Sequence, residues 1–207
     1  MKKTVVVDLD GTLLDTNTFE HFIVFMTKAA LKQLDVWTAF IIVTLVMLRK
    51  FRIISSHEKM KYYILRKSER YATPSKMREL VNFLKKYENS NVLNLIWKYR
   101  NEGYAIVLST AAPNPYAAII SSDYKFDYFC ATAMPQGKKW EENVNMQKKK
   151  NTIELLDMFG GELSVLLTDH YDDFPLLSIP KECNYLVNPS EETRTLLDEN
   201  EVRYKLI

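Results

Sequence analysis

Two aspartates separated by one residue, Asp8 and Asp10, follow a run of β-branched residues and precede a glycine. The run from Thr4 to Val7 predicts a buried strand, and open α/β sheets bind their ligands at the carboxyl ends of such strands. Alternate residues of an extended chain point to opposite sides, but Gly11 allows the chain to turn at once. Both carboxylates can therefore reach one small ligand, where one could act as a nucleophile or metal ligand and the other as a general acid and base.

A second acidic cluster, Asp169, Asp172 and Asp173, follows the apolar run 165–168 and surrounds His170. Carboxylates crowded together repel one another unless a cation or a basic group lies among them. A helix N-terminus would also favour such a cluster by itself. Because Asp8 and Asp10 stand at the end of another predicted strand, a Mg²⁺ site explains both clusters better.

Two further segments could bind an anion. Ser109 and Thr110 follow the apolar run 106–108, and a hydroxyl with the N–H groups of a turn can receive a phosphate oxygen. Three lysines, 148–150, open a predicted helix, where positive charge is unfavourable unless an anion is near. Taken alone, an ordinary strand exit and a solvated charge run also explain these segments.

The order of the elements predicts how these residues are held. Strand-like runs at 4–7, 104–108, 163–167 and 185–187 are separated by helical patterns, and Gly103, Gly160 and Pro180 mark the ends of three helices. This alternation predicts an α/β fold in which a parallel, Rossmann-like sheet is covered by helices on both faces as three layers. Residues 128–133 and 139–144 are interpreted as a small antiparallel excursion.

The stretch 16–86 lacks a convincing strand and has apolar residues at helical spacing, which predicts four helices. We therefore expect a discontinuous core, residues 1–14 and 91–207, with a helical cap inserted at 15–90. The cap has 14 Lys and Arg against 7 Asp and Glu, a net charge of +7, and the remaining residues have 14 against 19, a net charge of −5. This asymmetry favours an anionic ligand or surface beside a site that could hold a cation.

Two cysteines, Cys130 and Cys183, are too few for a disulfide framework, so we expect a cytoplasmic location. In the cap, Val36 to Leu48 has 11 apolar residues of 13, fewer than the roughly 20 that a spanning helix needs. The basic residues form no recognisable nucleic-acid motif, and nucleic acid is not an expected partner.

The four polar segments, in their order, resemble the motifs of the haloacid dehalogenase superfamily of phosphotransferases. The D-x-D-G-T motif falls on residues 8–12, and the acids of the fourth motif on Asp169 and Asp173. The second motif falls on Thr110, since Thr110 to Pro113 resembles the form of the phosphoserine phosphatase-like branch, with Ser109 as the alternative. For the third motif, Lys149 is favoured over Lys150 because Ile153 and Leu156 share its helix face.

The resemblance implies an activity and a role for each residue. Asp8 would be the nucleophile of an Mg²⁺-dependent phosphomonoester hydrolase with an aspartyl-phosphate intermediate, and Asp10 the general acid and base. The metal would be held by Asp8, Asp10 through its main-chain carbonyl, and Asp169, with Asp173 and His170 around it. The phosphate would be bound by five residues, namely Gly11, Thr12, Thr110, Ala111 and Lys149.

The family places a C1 helical cap at the position of the insert, where it selects the substrate. In phosphoserine phosphatases a Glu after the first motif holds the substrate amine, but the matching residue here is Asn17. The apolar helix flanked by Lys and Arg is similar to the cap of phosphatidylglycerophosphatase C-like enzymes. A small organic phosphate ester is the substrate that we expect first, and a lipid phosphate is the alternative.

Three alternatives stay open. The chain could be an interfacial lipid phosphate phosphatase whose cap helix makes a peripheral contact on the inner membrane face, with basic residues meeting anionic headgroups. The apolar helix could instead be buried in the cap or against a second copy, since an all-round apolar helix is usually buried. A catalytically silent binding or membrane-associated module on the same fold is the third alternative, and the oligomeric state is left open.

Overall fold

The computed structural model describes residues 1–54, 56–137 and 139–207, and its centre is a sheet of six parallel strands. The strand order is β3-β2-β1-β4-β5-β6. The first strand, β1, thus lies between β2, which carries Thr110, and β4, which is followed by Asp169. The predicted parallel, Rossmann-like α/β fold is confirmed. The strands are β1 (Lys2–Val7), β2 (Ala105–Pro113), β3 (Tyr128–Thr132), β4 (Gly161–Thr168), β5 (Cys183–Leu186) and β6 (Lys205–Leu206).

Helices cover both faces of this sheet, and two of them were not predicted, 114–123 and 191–199. The helices are α1 (Thr18–Lys32), α2 (Val36–Lys50), α3 (His57–Ser68), α4 (Pro74–Leu84), α5 (Ser90–Asn101), α6 (Asn114–Asp123), α7 (Asn145–Met158), α8 (Phe174–Leu177) and α9 (Glu191–Glu199).

Alternate residues of β1 belong to different hydrophobic clusters. Val5 and Val7 pack in one cluster with side chains of α5, α6 and the helical insert, whereas Val6 packs in the other with leucines of α7, α8 and α9. All three valines are fully buried. The strand is therefore apolar on both sides, as the continuous β-branched run predicts for a central parallel strand.

The insert forms helices α1 to α4, and each begins at a residue that suits a helix start. The side chains of Asn17, Asp35, Ser56 and Thr73 each accept a hydrogen bond from a main-chain N–H of the first turn. The third helix was predicted to start at Ser55, which lies outside the described residues. Within the described part of the chain, no helix is both long and apolar enough to cross a bilayer.

The predicted antiparallel pairing within residues 128–144 is wrong. The segment 128–133 was expected to pair antiparallel with 139–144, but β3 pairs parallel with β2, and residues 139–144 form no strand. The unpredicted helix α6 explains the difference, because a helix between two strands returns the chain to the same end of the sheet, and the second strand then runs parallel.

The insert shares a hydrophobic cluster with one face of the sheet and is also tied to the core by polar contacts. The hydroxyls of Thr18 in α1 and Tyr116 in α6 lie 2.9 Å apart and are buried. The Lys61 ammonium of α3 donates a hydrogen bond of 2.8 Å to the Ala111 carbonyl and forms an ion pair with Glu142. Both side chains of that pair are almost fully buried, with 4% and 6% exposure.

We predict that Lys61→Met lowers the free energy of unfolding by about 3–5 kcal/mol, because it leaves the Glu142 carboxylate buried without its cation. Urea unfolding measures this loss. The matched control is Lys76→Met, which breaks the exposed Lys76–Glu79 pair and should cost at most about 1 kcal/mol. The double variant Lys61→Met/Glu142→Gln should recover part of the loss. Equal losses for Lys61→Met and Lys76→Met would contradict the prediction.

Candidate active site

Three predicted site segments meet at one edge of the sheet. Asp8 follows β1, Asp169 follows β4, and Thr110 lies in the last part of β2. The strands β2 and β4 flank β1, with Val7 paired to Leu108 on one side and Leu167 on the other. Because parallel strands end at the same edge, these residues of distant sequence become neighbours.

A lysine ammonium joins two of the acidic residues. Lys148 Nζ donates hydrogen bonds of 2.7 Å to Asp8 Oδ1 and to Asp173 Oδ2. Thr168 Oγ1 donates a further bond of 2.8 Å to the same Asp173 oxygen. Lys148, Asp8 and Asp173 are all buried, and the two carboxylates raise the pKa of the lysine, which therefore stays charged.

This lysine is not the one that the sequence analysis favoured. Lys149 is half-buried and Lys150 exposed, and in the described part of the chain neither lines the pocket at Asp8. The buried face of helix α7 consists of Lys148, Thr152 and Leu156, which follow one another at intervals of four residues. The prediction relied on the apolar residues 153 and 156, and it overlooked that the buried face includes a polar residue, Thr152.

Asp10 and Gly11 form the turn that leaves β1. Asp10 Oδ1 accepts a hydrogen bond of 2.5 Å from the main-chain N–H of Thr18, at the start of α1. Gly11 has a φ of +69°, and a Cβ atom there would lie 2.2 Å from Asp169 Oδ2. A glycine is thus needed for the backbone conformation and for the close approach of the second carboxylate. Thr12 Oγ1 donates to Asp169 Oδ1 at 3.4 Å.

The two hydroxyls of β2 have different surroundings. Ser109 Oγ lies 2.8 Å from Thr152 Oγ1 and accepts from Cys130 Sγ, so it belongs to a buried cluster. Thr110 Oγ1 accepts a bond of 2.9 Å from the Ala112 N–H, two residues further along β2. Of the segment, Ala111 lines the pocket. These surroundings favour Thr110 over Ser109 and leave the phosphate contact of Thr110 a prediction.

A pocket of about 270 Å³ lies over these groups. The sequence analysis did not name Val144, counted Asp172 in the acidic cluster without giving it a role, and named Asn17 as the residue in place of the Glu that holds a substrate amine; all three line the pocket. Asn17 could be found because it caps α1 directly after the first motif. Val144 carries no chemical signal. The residues that line the pocket are Asp8, Asp10, Asn17, Ala111, Val144, Lys148, Asp169, His170, Asp172 and Asp173.

The pocket is rich in carboxyl groups, with five aspartates and one lysine in its lining. Burial raises the pKa of Asp8 to about 8 although the Lys148 ammonium opposes the change, and burial raises the pKa of Asp169 to about 6. Burial also raises the pKa of Asp10. At the pocket mouth, the Asp172 carboxylate raises the pKa of His170. A hard divalent cation bound by these oxygen atoms would favour the charged carboxylates that burial disfavours.

The donor set for such a cation would combine side chains with main chain. Among the described residues, no group of three or more acidic, His or Cys side chains is arranged to hold a metal ion. The Asp10 carboxylate is turned to the Thr18 amide instead. Asp8 and Asp169 are two carboxylates on adjacent strands, and Gly11 leaves the space that Asp169 occupies. These residues fit Mg²⁺ if a main-chain carbonyl and water complete the shell.

Comparisons with known proteins bear on the family and the fold of the chain. The family model described as haloacid dehalogenase-like hydrolase matches residues 5–178. No curated protein matches the sequence.

Solved structures resemble the whole fold at low sequence identity. A protein of unknown function from Bordetella pertussis Tohama I is similar with a TM-score of 0.79 and 15% identity, and the match covers 100% of this chain and 98% of that one. A phosphoserine phosphatase in its apo form gives 0.62 and 13%, covering 99% and 100%. A phosphoserine phosphohydrolase-like protein from Francisella tularensis gives 0.60 and 16%, covering 99% and 94%.

Proposed function

The chain belongs to the haloacid dehalogenase-like hydrolase family, and from this we propose that it is an Mg²⁺-dependent phosphatase that hydrolyses a small phosphate monoester with Asp8 as its nucleophile. The observation that carries the proposal is the Lys148 ammonium between Asp8 and Asp173, with Asp169 at the end of the next strand. A carboxylate nucleophile and a fixed positive charge at one pocket are what phosphoryl transfer requires.

The metal would be held by Asp8, Asp169 and the main-chain carbonyl of Asp10. Bound there, Mg²⁺ would offset the repulsion between the Asp8 carboxylate and a phosphate dianion and would withdraw charge from the phosphoryl oxygens. Asp173 would act through its contacts with Lys148 and Thr168, which fix its carboxylate beside the site.

In the first step an Asp8 carboxylate oxygen attacks phosphorus and forms an aspartyl phosphate. The ester P–O bond breaks, its electron pair passes to the leaving oxygen, and Asp10 gives that oxygen a proton. The Thr18 N–H holds one oxygen of Asp10 in place, and the other oxygen would carry the proton. This contact couples the acid to the first residue of α1.

In the second step water attacks the same phosphorus, and Asp10 takes the proton of the water. The P–O bond to Asp8 breaks, which regenerates the carboxylate and releases inorganic phosphate. Lys148 would neutralise the phosphoryl oxygens in both steps. The hydroxyl of Thr110 and the main-chain N–H groups at Gly11, Thr12 and Ala111 would orient these oxygens.

The pocket favours a substrate with a short organic group. Its volume of about 270 Å³ accommodates a phosphate and a few further atoms, whose neighbours would be Asn17, Val144 and His170. Asn17 is neutral, so this position supplies no carboxylate for a substrate amine, and phosphoserine is not the favoured substrate. The cap boundaries 15–90 and the cytoplasmic location remain predictions.

Two alternatives differ in how well they are supported. An apolar groove of about 270 Å³ between α1 and α2 favours a lipid phosphate as a second candidate substrate. The resemblance of the cap to phosphatidylglycerophosphatase C-like enzymes stays a prediction. A catalytically silent module is disfavoured, since the acids of both motifs and a buried lysine meet at one pocket.

The test is hydrolysis of a panel of water-soluble phosphate esters and of a lysophospholipid phosphate, with Mg²⁺ and after chelation. We expect Mg²⁺-dependent release of phosphate from at least one ester. Asp8→Asn should reduce that release at least about a thousandfold, because the amide cannot replace the nucleophile. Asp157→Asn on the exposed side of α7 is the control and should keep the activity within about twofold. Substantial turnover by Asp8→Asn, with an unchanged unfolding midpoint, would remove Asp8 from this role.

Neighbouring lysines on α7 provide a matched pair. We predict that Lys148→Gln lowers kcat/KM about 100- to 1000-fold, because the phosphoryl oxygens and Asp8 lose a buried positive charge. Lys149→Gln, one residue along, should change kcat/KM by less than about threefold, as expected for a half-buried residue outside the pocket. The opposite ranking of the two variants would show that the family lysine is Lys149.

A further inference from the structure

The cap carries a large exposed apolar surface, which we call the cap apolar face. Large contiguous apolar patches are rare on monomeric proteins and mark interaction sites. Trp37 and Phe40 are 70% and 59% exposed and stack with ring centroids 5.9 Å apart. The face consists of the exposed side chains Val24, Leu31, Leu34, Val36, Trp37, Phe40, Val43, Met47, Phe51 and Ile53.

Helix α2 explains why this surface exists. It is apolar all round, yet it buries only Thr38, Ala39 and Ile42. Leu45 and Val46 pack partly against the core, whereas Val36, Trp37, Phe40, Val43 and Met47 stay exposed among the described residues. The groove between α1 and α2 lies within the same surface, and its wall includes Val24, Val43 and Met47. The expectation that α2 is buried inside the cap is therefore not met.

The charges next to the cap apolar face are mainly positive, although Glu20 lies one turn before Val24 on α1. Residues 21–54 contain five basic residues and one acid, Asp35. That acid is not available to a partner, because it forms an ion pair with Arg70 and accepts a hydrogen bond of 2.6 Å from Tyr71 Oη. Four of the basic residues are exposed, and the set is Lys28, Lys32, Arg49, Lys50 and Arg52.

We infer that the cap apolar face docks onto the interface of a lipid bilayer that contains anionic lipids. An amphipathic surface that combines Trp and Phe with a basic rim suits this environment, since the aromatic rings lie at headgroup depth and the cations meet anionic headgroups. The helices would lie in the plane of the interface, because none of the described helices can span it.

Charge argues against a second copy as the occupant. In a twofold dimer the same patch faces itself, so Lys28, Lys32, Lys50 and Arg52 would meet the same four cations. Few acids could compensate them, since Asp35 is already paired and Glu20 is the one exposed acid of α1. Like charges brought together at an interface oppose association, whereas anionic headgroups attract all of them.

The experiment is co-sedimentation of the full chain with vesicles of phosphatidylcholine, with and without about one third phosphatidylglycerol. We expect binding to the anionic vesicles at least about tenfold tighter than to the neutral ones, weakened by salt. The variant Trp37→Ser/Phe40→Ser should weaken this binding at least about fivefold through lost apolar contact. Trp97→Ser on α5, which replaces a Trp that is 48% exposed outside the face, should leave it within about twofold.

Charge reversal gives a second matched comparison. Lys32→Glu/Lys50→Glu should abolish the preference for anionic vesicles, and Lys76→Glu/Lys98→Glu, outside the face, should retain it. No binding to anionic vesicles would overturn the inference. So would equal effects of the paired variants, or a stable dimer in light scattering that Trp37→Ser/Phe40→Ser dissociates. Hydrolysis of a water-soluble ester by Trp37→Ser/Phe40→Ser is measured in parallel, so a failure of docking is distinguished from a failure of the phosphatase proposal.

Discussion

The ammonium group of Lys148 lies between two buried carboxylates, and the geometry of the pocket depends on this contact. Without it, burial and the neighbouring carboxylates of Asp173 and Asp169 would raise the pKa of Asp8 further and disfavour its charged form. The burial cost of such charges is large unless a cation compensates them. The ion pair draws together the end of β1, the start of α7 and the turn after β4, three segments far apart in the sequence. The pocket still has more carboxyl groups than cations. A bound metal ion would offset the negative charge of these groups and of a phosphate.

The cap contributes to the same site through its main chain and through one buried charge. The first amide of α1 holds Asp10, and Lys61 of α3 reaches the carbonyl of Ala111. In the proposed mechanism, the general acid Asp10 is thus coupled to the packing of the cap against the sheet. Trp37 and Phe40 lie on a side of the cap that does not line the pocket, and both remain largely exposed within the described chain. One insert therefore serves both as a wall of the pocket and as an exposed apolar surface.

The positions of the strand ends were predictable from sequence. The buried face of α7 and the exposure of the α2 side chains were not. Asp8 and Asp169 each follow an apolar run, and the parallel sheet necessarily brings such ends to one edge. On a helix each residue turns the side chain by about 100°, so choosing among three adjacent lysines needs the buried face, and the polar Thr152 concealed it. The apolar composition of α2 suggested burial, but composition does not reveal whether another element is present to cover a face. The direction of β3 relative to β2 depends on the connecting helix α6, which was not predicted from the sequence.

The most direct measurement is mass spectrometry of the protein quenched in acid during turnover of a phosphate ester with Mg²⁺. The account predicts one added phosphoryl group, located on the proteolytic peptide that contains Asp8 and lost when the quenched protein is treated with hydroxylamine. The Asp8→Asn variant should carry none. A phosphoryl group on another residue during steady turnover, or turnover without any modification of Asp8 in rapid-quench samples, would contradict it.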